Sequence, residues 1–170
     1  MRGQVKGKNE KKIVTIGVYG FSESDFFNAL INAGVDTFLD IRQRRGMRGA
    51  KYAFANSQRL QAKLEELGIR YYHLKELSPT PEVRQIQKQV DQFQDIEKRK
   101  RSTLSQEFVQ AYEKSVLDQV DLSSLINRLP DDSQIVALFC VEKEPGACHR
   151  SIVAKKLSKQ HGFPVEDILP

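Results

Sequence analysis

Residues 135–141 (IVALFCV) limit most strongly what this chain can become. An uninterrupted apolar run cannot be a strand with one wet face. This one is also too short for an ordinary helix, so it reads as a strand covered on both sides, as in a parallel sheet. Parallel strands need crossovers, and the rest of the chain has the pattern for them. Residues 13–19 (IVTIGVY) are β-branched and apolar, and Gly20 ends them. Ser22 and Asp25 make a capping-box-like pair, Phe26, Phe27, Leu30 and Ile31 recur at helical spacing, and Gly34 supplies a left-handed stop. Residues 35–41 (VDTFLDI) are a second strand, so the order is the βαβ unit, whose crossover is right-handed.

Further along, residues 42–55 (RQRRGMRGAKYAFA) have neither period and too many cations and glycines for a core, which makes them a loop. Asn56 caps a helix with Leu60, Leu64 and Leu67, closed by Gly68, and residues 69–74 (IRYYHL) form a third strand. Thr80 and Pro81 start a helix with Val83, Ile86, Val90 and Phe93 on one stripe. Ser105 or Thr103 caps another with Phe108, Tyr112 and Val116. A short helix over 122–129, a helix from Cys148 to about 160 and a last strand over 165–169 complete the pattern. The expectation is an α/β fold: a mostly parallel open sheet, helices on both faces, and a helical insertion over about residues 80–118. Residues 1–12 read as a basic tail and 13–170 as a single domain.

No apolar run reaches the roughly 20 residues that span a bilayer, and the N-terminus lacks a signal-peptide pattern, so no membrane partner and a cytoplasmic location are expected. Two cysteines in such a chain read as reduced thiols. The net charge of +5 and pI near 9.2 favour anionic partners: nucleic acid, nucleotides or phosphorylated metabolites. The charge is uneven. Four cations run unbroken from 98 to 101, a stretch read as a solvated face.

In open parallel sheets ligands bind outside the carboxyl ends of the strands. Those ends should hold Asp40 and Arg42, His73 and Glu76, and Cys140 and Glu142. Asp40 and Glu142 are candidate acids or bases. The turn at 144–146 delivers Cys148, His149 and Arg150 to a helix start, where spare N–H groups attract anions and lower a thiol's pKa. Cys148 with His149 is a candidate nucleophile or proton shuttle, and Arg42 and Arg150 are candidate anion clamps. Cys140 reads as a buried strand cysteine. Arg44, Arg45, Arg48 and Lys51, spaced by glycines and followed by Tyr52 and Phe54, suggest phosphate binding with stacking platforms. No metal site is expected, because successive helical residues point about 100° apart and Cys148 and His149 would diverge. No cofactor motif is present: there is no GxGxxG and no Walker-type loop.

The residues also resemble a known family. The TIG of 15–17, the D-I-R of 40–42, the Y-x-H-L-x-E-L of 71–77 and, most specific, the C-x-E-x-x-P-x-x-C-H-R of 140–150 resemble, in order, the domain of unknown function 488 family of small, mostly prokaryotic proteins. The resemblance runs over about residues 15–169. Many relatives read TIGHS where this chain reads TIGVYG, and many carry a proline-containing loop where this chain has the Arg-Gly loop. As its name says, the family brings no reaction with it; the resemblance implies a fold and a site. The expected function is therefore an enzyme acting on a phosphate-bearing ligand, a nucleotide or nucleic acid, at the carboxyl-end rim. The alternatives are a non-catalytic nucleic-acid-binding module and a thiol-based sensor.

Overall fold

The computed structural model describes residues 10–170, apart from the side chain of Arg99. Most of the expected basic tail lies outside the described residues. Its last member, Lys12, already belongs to the first strand.

Five strands form one sheet: β1 (Lys12–Ile16), β2 (Thr37–Asp40), β3 (Arg70–His73), β4 (Ile135–Phe139) and β5 (Val165–Ile168). Their order is β3-β2-β4-β1-β5, and every neighbouring pair is parallel. β4 lies in the middle, where Val136 through Phe139 are fully buried, which is why its sequence alternates with nothing.

The topology explains the helices. From β1 to β2 to β3 the chain steps towards one edge, and from β3 to β4 to β5 towards the other. Right-handed crossovers must then lie on opposite faces for the two halves. Accordingly α1 (Glu23–Asn32) and α2 (Ser57–Glu66) place Phe26, Leu30, Leu60 and Leu64 in one apolar cluster with Phe38 and Phe139. The second half supplies α3 (Pro81–Phe93), α4 (Gln106–Ser115), α5 (Leu122–Asn127) and α6 (His149–His161). These contribute Val83, Phe108, Tyr112, Ile126 and Val153 to a cluster on the other face, with Leu39 and Leu138. The stretch read as an insertion is thus part of this face's cover. Ser22, Thr80 and Ser105 cap as expected and Asp121 does the same for α5, each accepting a backbone N–H of the first turn, whereas the Asn56 side chain at the start of α2 accepts from the Met47 N–H instead. Among the described residues no helix is long and apolar enough to cross a membrane.

Candidate functional site

The register sets Phe139 of β4 beside Ile16 of β1 and Asp40 of β2. Three adjacent strands therefore end at one level. β1 and β2 send their helices to one face while β4 sends its helix to the other, so a crevice opens around the end of β4. The loop leaving β4 is held close to β1. Val18 and Tyr19 N–H groups both donate to the Val141 carbonyl, at 3.0 and 3.1 Å. Gly17 permits this, since a Cβ there would lie 1.9 Å from the Glu142 carbonyl oxygen. Arg150, fully buried on the first turn of α6, donates from Nη1 to the Glu142 carbonyl (2.6 Å) and from Nη2 to that of Lys143 (3.1 Å). Its two terminal nitrogens brace the loop, while its buried Nε has no partner among the described residues.

At the end of β2 the polar groups are absorbed by one another. The Asp40 carboxylate, fully buried, accepts from Arg42 Nε (2.9 Å), Arg42 Nη2 (2.8 Å) and the Tyr71 hydroxyl (2.7 Å). Arg42 Nη1 donates to the Ala55 carbonyl at 2.9 Å, and its guanidinium lies 4.7 Å from the Phe139 ring centre. His73 Nε2 meets the Arg42 carbonyl at 2.7 Å. Burial pushes the Tyr71 phenol up to about 12, so it keeps the proton it gives to Asp40. Asp40 and Arg42, read as acid or base and as anion clamp, are bonded to each other and to Ala55 at the start of the loop. His73 also borders an apolar cavity of about 360 Å³ lined by Leu39, Leu77, Leu125 and Leu138.

At the end of β4 the contacts have another character. Cys140 Sγ and Cys148 Sγ each lie 3.8 Å from His149 Nδ1, and Cys140 Sγ lies 3.9 Å from Glu142 Oε2. His149 Nε2 is 3.1 Å from the Ile41 carbonyl, and the Tyr112 ring stands edge-on to the imidazole at 5.5 Å. All four residues are buried. The expectation that Cys148 and His149 diverge is corrected: Cys148 is the N-cap of α6, with extended φ −135° and ψ 145°, so the helical angle does not apply between them. Cys140, read as core only, joins the same cluster; the three ligand-type atoms of Cys140, Cys148 and His149 lie within 4.8 Å of one another.

Electrostatics follows from this packing. Burial alone would raise the Cys148 thiol, but a hydrogen bond from Cys140 and the adjacent imidazole hold it well below the ordinary thiol range. Cys140, which gives that hydrogen bond and is itself buried, goes well above it. Burial would lower His149; the Cys148 charge and its hydrogen bond outweigh this and raise it. Glu142 is raised by burial and by the Cys148 charge, against the pull of Lys98.

Cations border this cluster. Lys98 Nζ lies 3.4 Å and Arg101 Nη2 3.6 Å from Glu142 Oε1. Arg101 is anchored by Asp91 at 2.6 Å and by the Ala147 carbonyl at 3.1 Å. Arg84 is half-buried, and burial, with Arg44 adding to it, lowers its guanidinium from the ordinary range against the opposing pull of Cys140 and Glu142. Sequence reasoning missed these residues by taking 98–101 for a solvated face. No spacing in the sequence points to them: α3 and α4 fold back over the β4–α6 loop, with Leu104 N–H donating to the Gly146 carbonyl at 2.8 Å. Arg44 and Arg48 are exposed, while Arg45 is half-buried and reaches the Tyr71 hydroxyl at 3.4 Å. Tyr52 and Phe54 are buried in the core beside α1, so they are not the expected stacking platforms.

Fold and site together define an α/β protein with an all-parallel sheet whose polar centre lies at the end of its middle strand. The chain belongs to the family described as Domain of unknown function DUF488, whose model matches residues 23–157. That span includes the motifs at 40–42, 71–77 and 140–150, whereas the TIG of β1 precedes it. No curated protein and no solved structure matches the chain.

Proposed function

We propose that this protein is a cytoplasmic enzyme acting on a phosphate-bearing ligand, a nucleotide or nucleic acid, at the end of β4. One observation carries the reading: a buried cluster of two thiols, an imidazole and a carboxylate sits at the topological switch of the sheet, with Lys98, Arg101 and Arg84 beside it. Such crevices are where doubly wound sheets take ligands. The cations supply the attraction for phosphate oxygens, and the cluster supplies electron-rich atoms in a water-poor setting where they act strongly. In this reading Asp40, Arg42 and Arg150 position the loops. Arg44 and Arg48 extend the cationic border for a longer ligand.

Calorimetric titration of the full chain with pyrophosphate, and with a short single-stranded oligonucleotide, tests this. Lys98→Ala and Arg84→Ala should each weaken pyrophosphate binding several-fold, and affinity should fall steeply with added salt. Binding that ignores both substitutions and salt contradicts the proposal. Should the oligonucleotide depend on Arg44 and Arg48 but not on Arg84 and Lys98, the non-catalytic nucleic-acid module is the better account.

A further inference from the structure

We infer that Cys140, Cys148 and His149 form a binding site for zinc or a similar borderline-soft divalent ion, with its fourth coordination position open towards Glu142. The inference deepens the proposed function and rests on its choice of the β4 cluster as the reacting centre.

The geometry is that of ligands awaiting an ion. Bonds of about 2.3 Å to sulfur and 2.0–2.1 Å to nitrogen, arranged tetrahedrally, place a sulfur ~3.6 Å from the nitrogen. Here both sulfurs are 3.8 Å from Nδ1, and all three atoms fit within 4.8 Å. The imidazole is oriented for the task. Its Nε2 lies 3.1 Å from the Ile41 carbonyl and donates there, so Nδ1, once it gives up its proton to metal binding, turns its lone pair to both sulfurs. This carbonyl-held imidazole is the usual support for a metal-binding histidine. The edge-on Tyr112 ring fixes its plane, and the Tyr112 hydroxyl is itself tied to the Leu77 carbonyl at 2.6 Å.

Charge and donor type select the ion. Metal binding requires both sulfurs as thiolates; buried side by side these would repel, and a divalent cation between them cancels that charge. Thiolate with imidazole suits zinc, whereas magnesium and calcium prefer oxygen ligands. Three protein ligands with a fourth position left free is the arrangement of catalytic rather than structural zinc sites. Glu142 is the carboxylate beside these ligands, with Oε2 3.9 Å from Cys140 Sγ and Oε1 facing Lys98. A water, or an oxygen of the incoming phosphate-bearing ligand, is what this position would take.

The test uses the full chain, stripped with a chelator and titrated with cobalt(II) alone, then with zinc. The expected result is one ion per chain, with thiolate-to-cobalt charge-transfer absorption in the near ultraviolet and the visible bands of a tetrahedral site, all removed by zinc. Cys148→Ser and His149→Ala should lower affinity at least a hundredfold, and Glu142→Gln should leave the stoichiometry unchanged. If those variants fail to fold, the wild-type spectrum decides alone, since charge transfer requires sulfur ligands and Cys140 and Cys148 are the chain's only cysteines. Absence of charge-transfer absorption overturns the inference, as does binding indifferent to Cys148→Ser. A chain that binds pyrophosphate through Arg84 and Lys98 but takes up no metal overturns this inference and leaves the proposed function standing. One that binds metal in the sulfur site but ignores pyrophosphate supports it and overturns the other.

Discussion

The ends of β2 and β4 lie side by side on one rim and carry similar residue types, yet they are built to opposite specifications. At β2 the Asp40 carboxylate meets three side-chain donors at 2.7–2.9 Å, and Arg42 and His73 are used up in the same network. At β4 the cysteines, His149 and Glu142 meet one another through sulfur at 3.8–3.9 Å, and sulfur is a weaker donor and acceptor than the oxygen and nitrogen that pair at β2. Buried polar groups with good partners hold a structure together, and those without are where chemistry or a ligand is to be sought. The charged rim seen in the sequence is thus a tightly paired scaffold at β2 and, at β4, a sulfur-lined cluster that we propose as the reacting centre.

The sharpest way to break this comparison is to damage the scaffold. Asp40→Asn leaves the buried Arg42 guanidinium short of its counter-charge and should cost about 3–5 kcal/mol in urea unfolding. A loss below ~1 kcal/mol would mean that Asp40 is not structural. Gly17→Ala should follow closely, at about 3 kcal/mol, because its Cβ meets a backbone oxygen at 1.9 Å and the β4 loop must move. Unchanged stability there would show that the loop does not press on β1.

Tyr71→Phe removes one hydrogen bond to Asp40 and should cost about 1 kcal/mol at neutral pH. The phenol's pKa is raised in the fold, from 10.0 to about 12, so the folded state holds that proton more tightly than the unfolded chain. Its contribution is complete below pH 10 and disappears as pH rises through 12. The wild type should therefore lose its advantage over Tyr71→Phe across that window in parallel urea titrations; a constant difference would contradict the bond. Smallest of all, Arg44→Ala with Arg48→Ala should change stability by no more than ~0.5 kcal/mol, as exposed side chains do, while weakening oligonucleotide binding. A large stability loss would move those arginines into the scaffold.

Much of the fold was legible because each signal was local. The apolar run of β4, the Ser22, Thr80 and Ser105 caps and the Gly34 and Gly68 stops act within one turn or strand of themselves, and the structure uses all of them. The site was legible only in part. Sequence could place Asp40, Arg42, Glu142 and Cys148 near one rim, but it could not say that Arg42 would turn back on Asp40, two residues away. It took Cys148 as helical, whereas the residue is extended, and that single dihedral change brings Cys148 Sγ to His149 Nδ1. Lys98, Arg101 and Arg84 were invisible because they reach the cluster through the fold of α3 and α4, not through spacing. Tyr52 and Phe54 erred the other way, since an aromatic beside a basic loop reads the same whether it faces solvent or the core.

The most direct test is where a phosphate goes. Crystals of the full chain soaked with pyrophosphate should show difference density at the end of β4, within reach of Lys98 and Arg84 and over the Cys148–His149 pair, with the Asp40–Arg42 pair intact. Density that instead breaks that pair and binds Arg42 would contradict the division of the rim into scaffold and reacting centre.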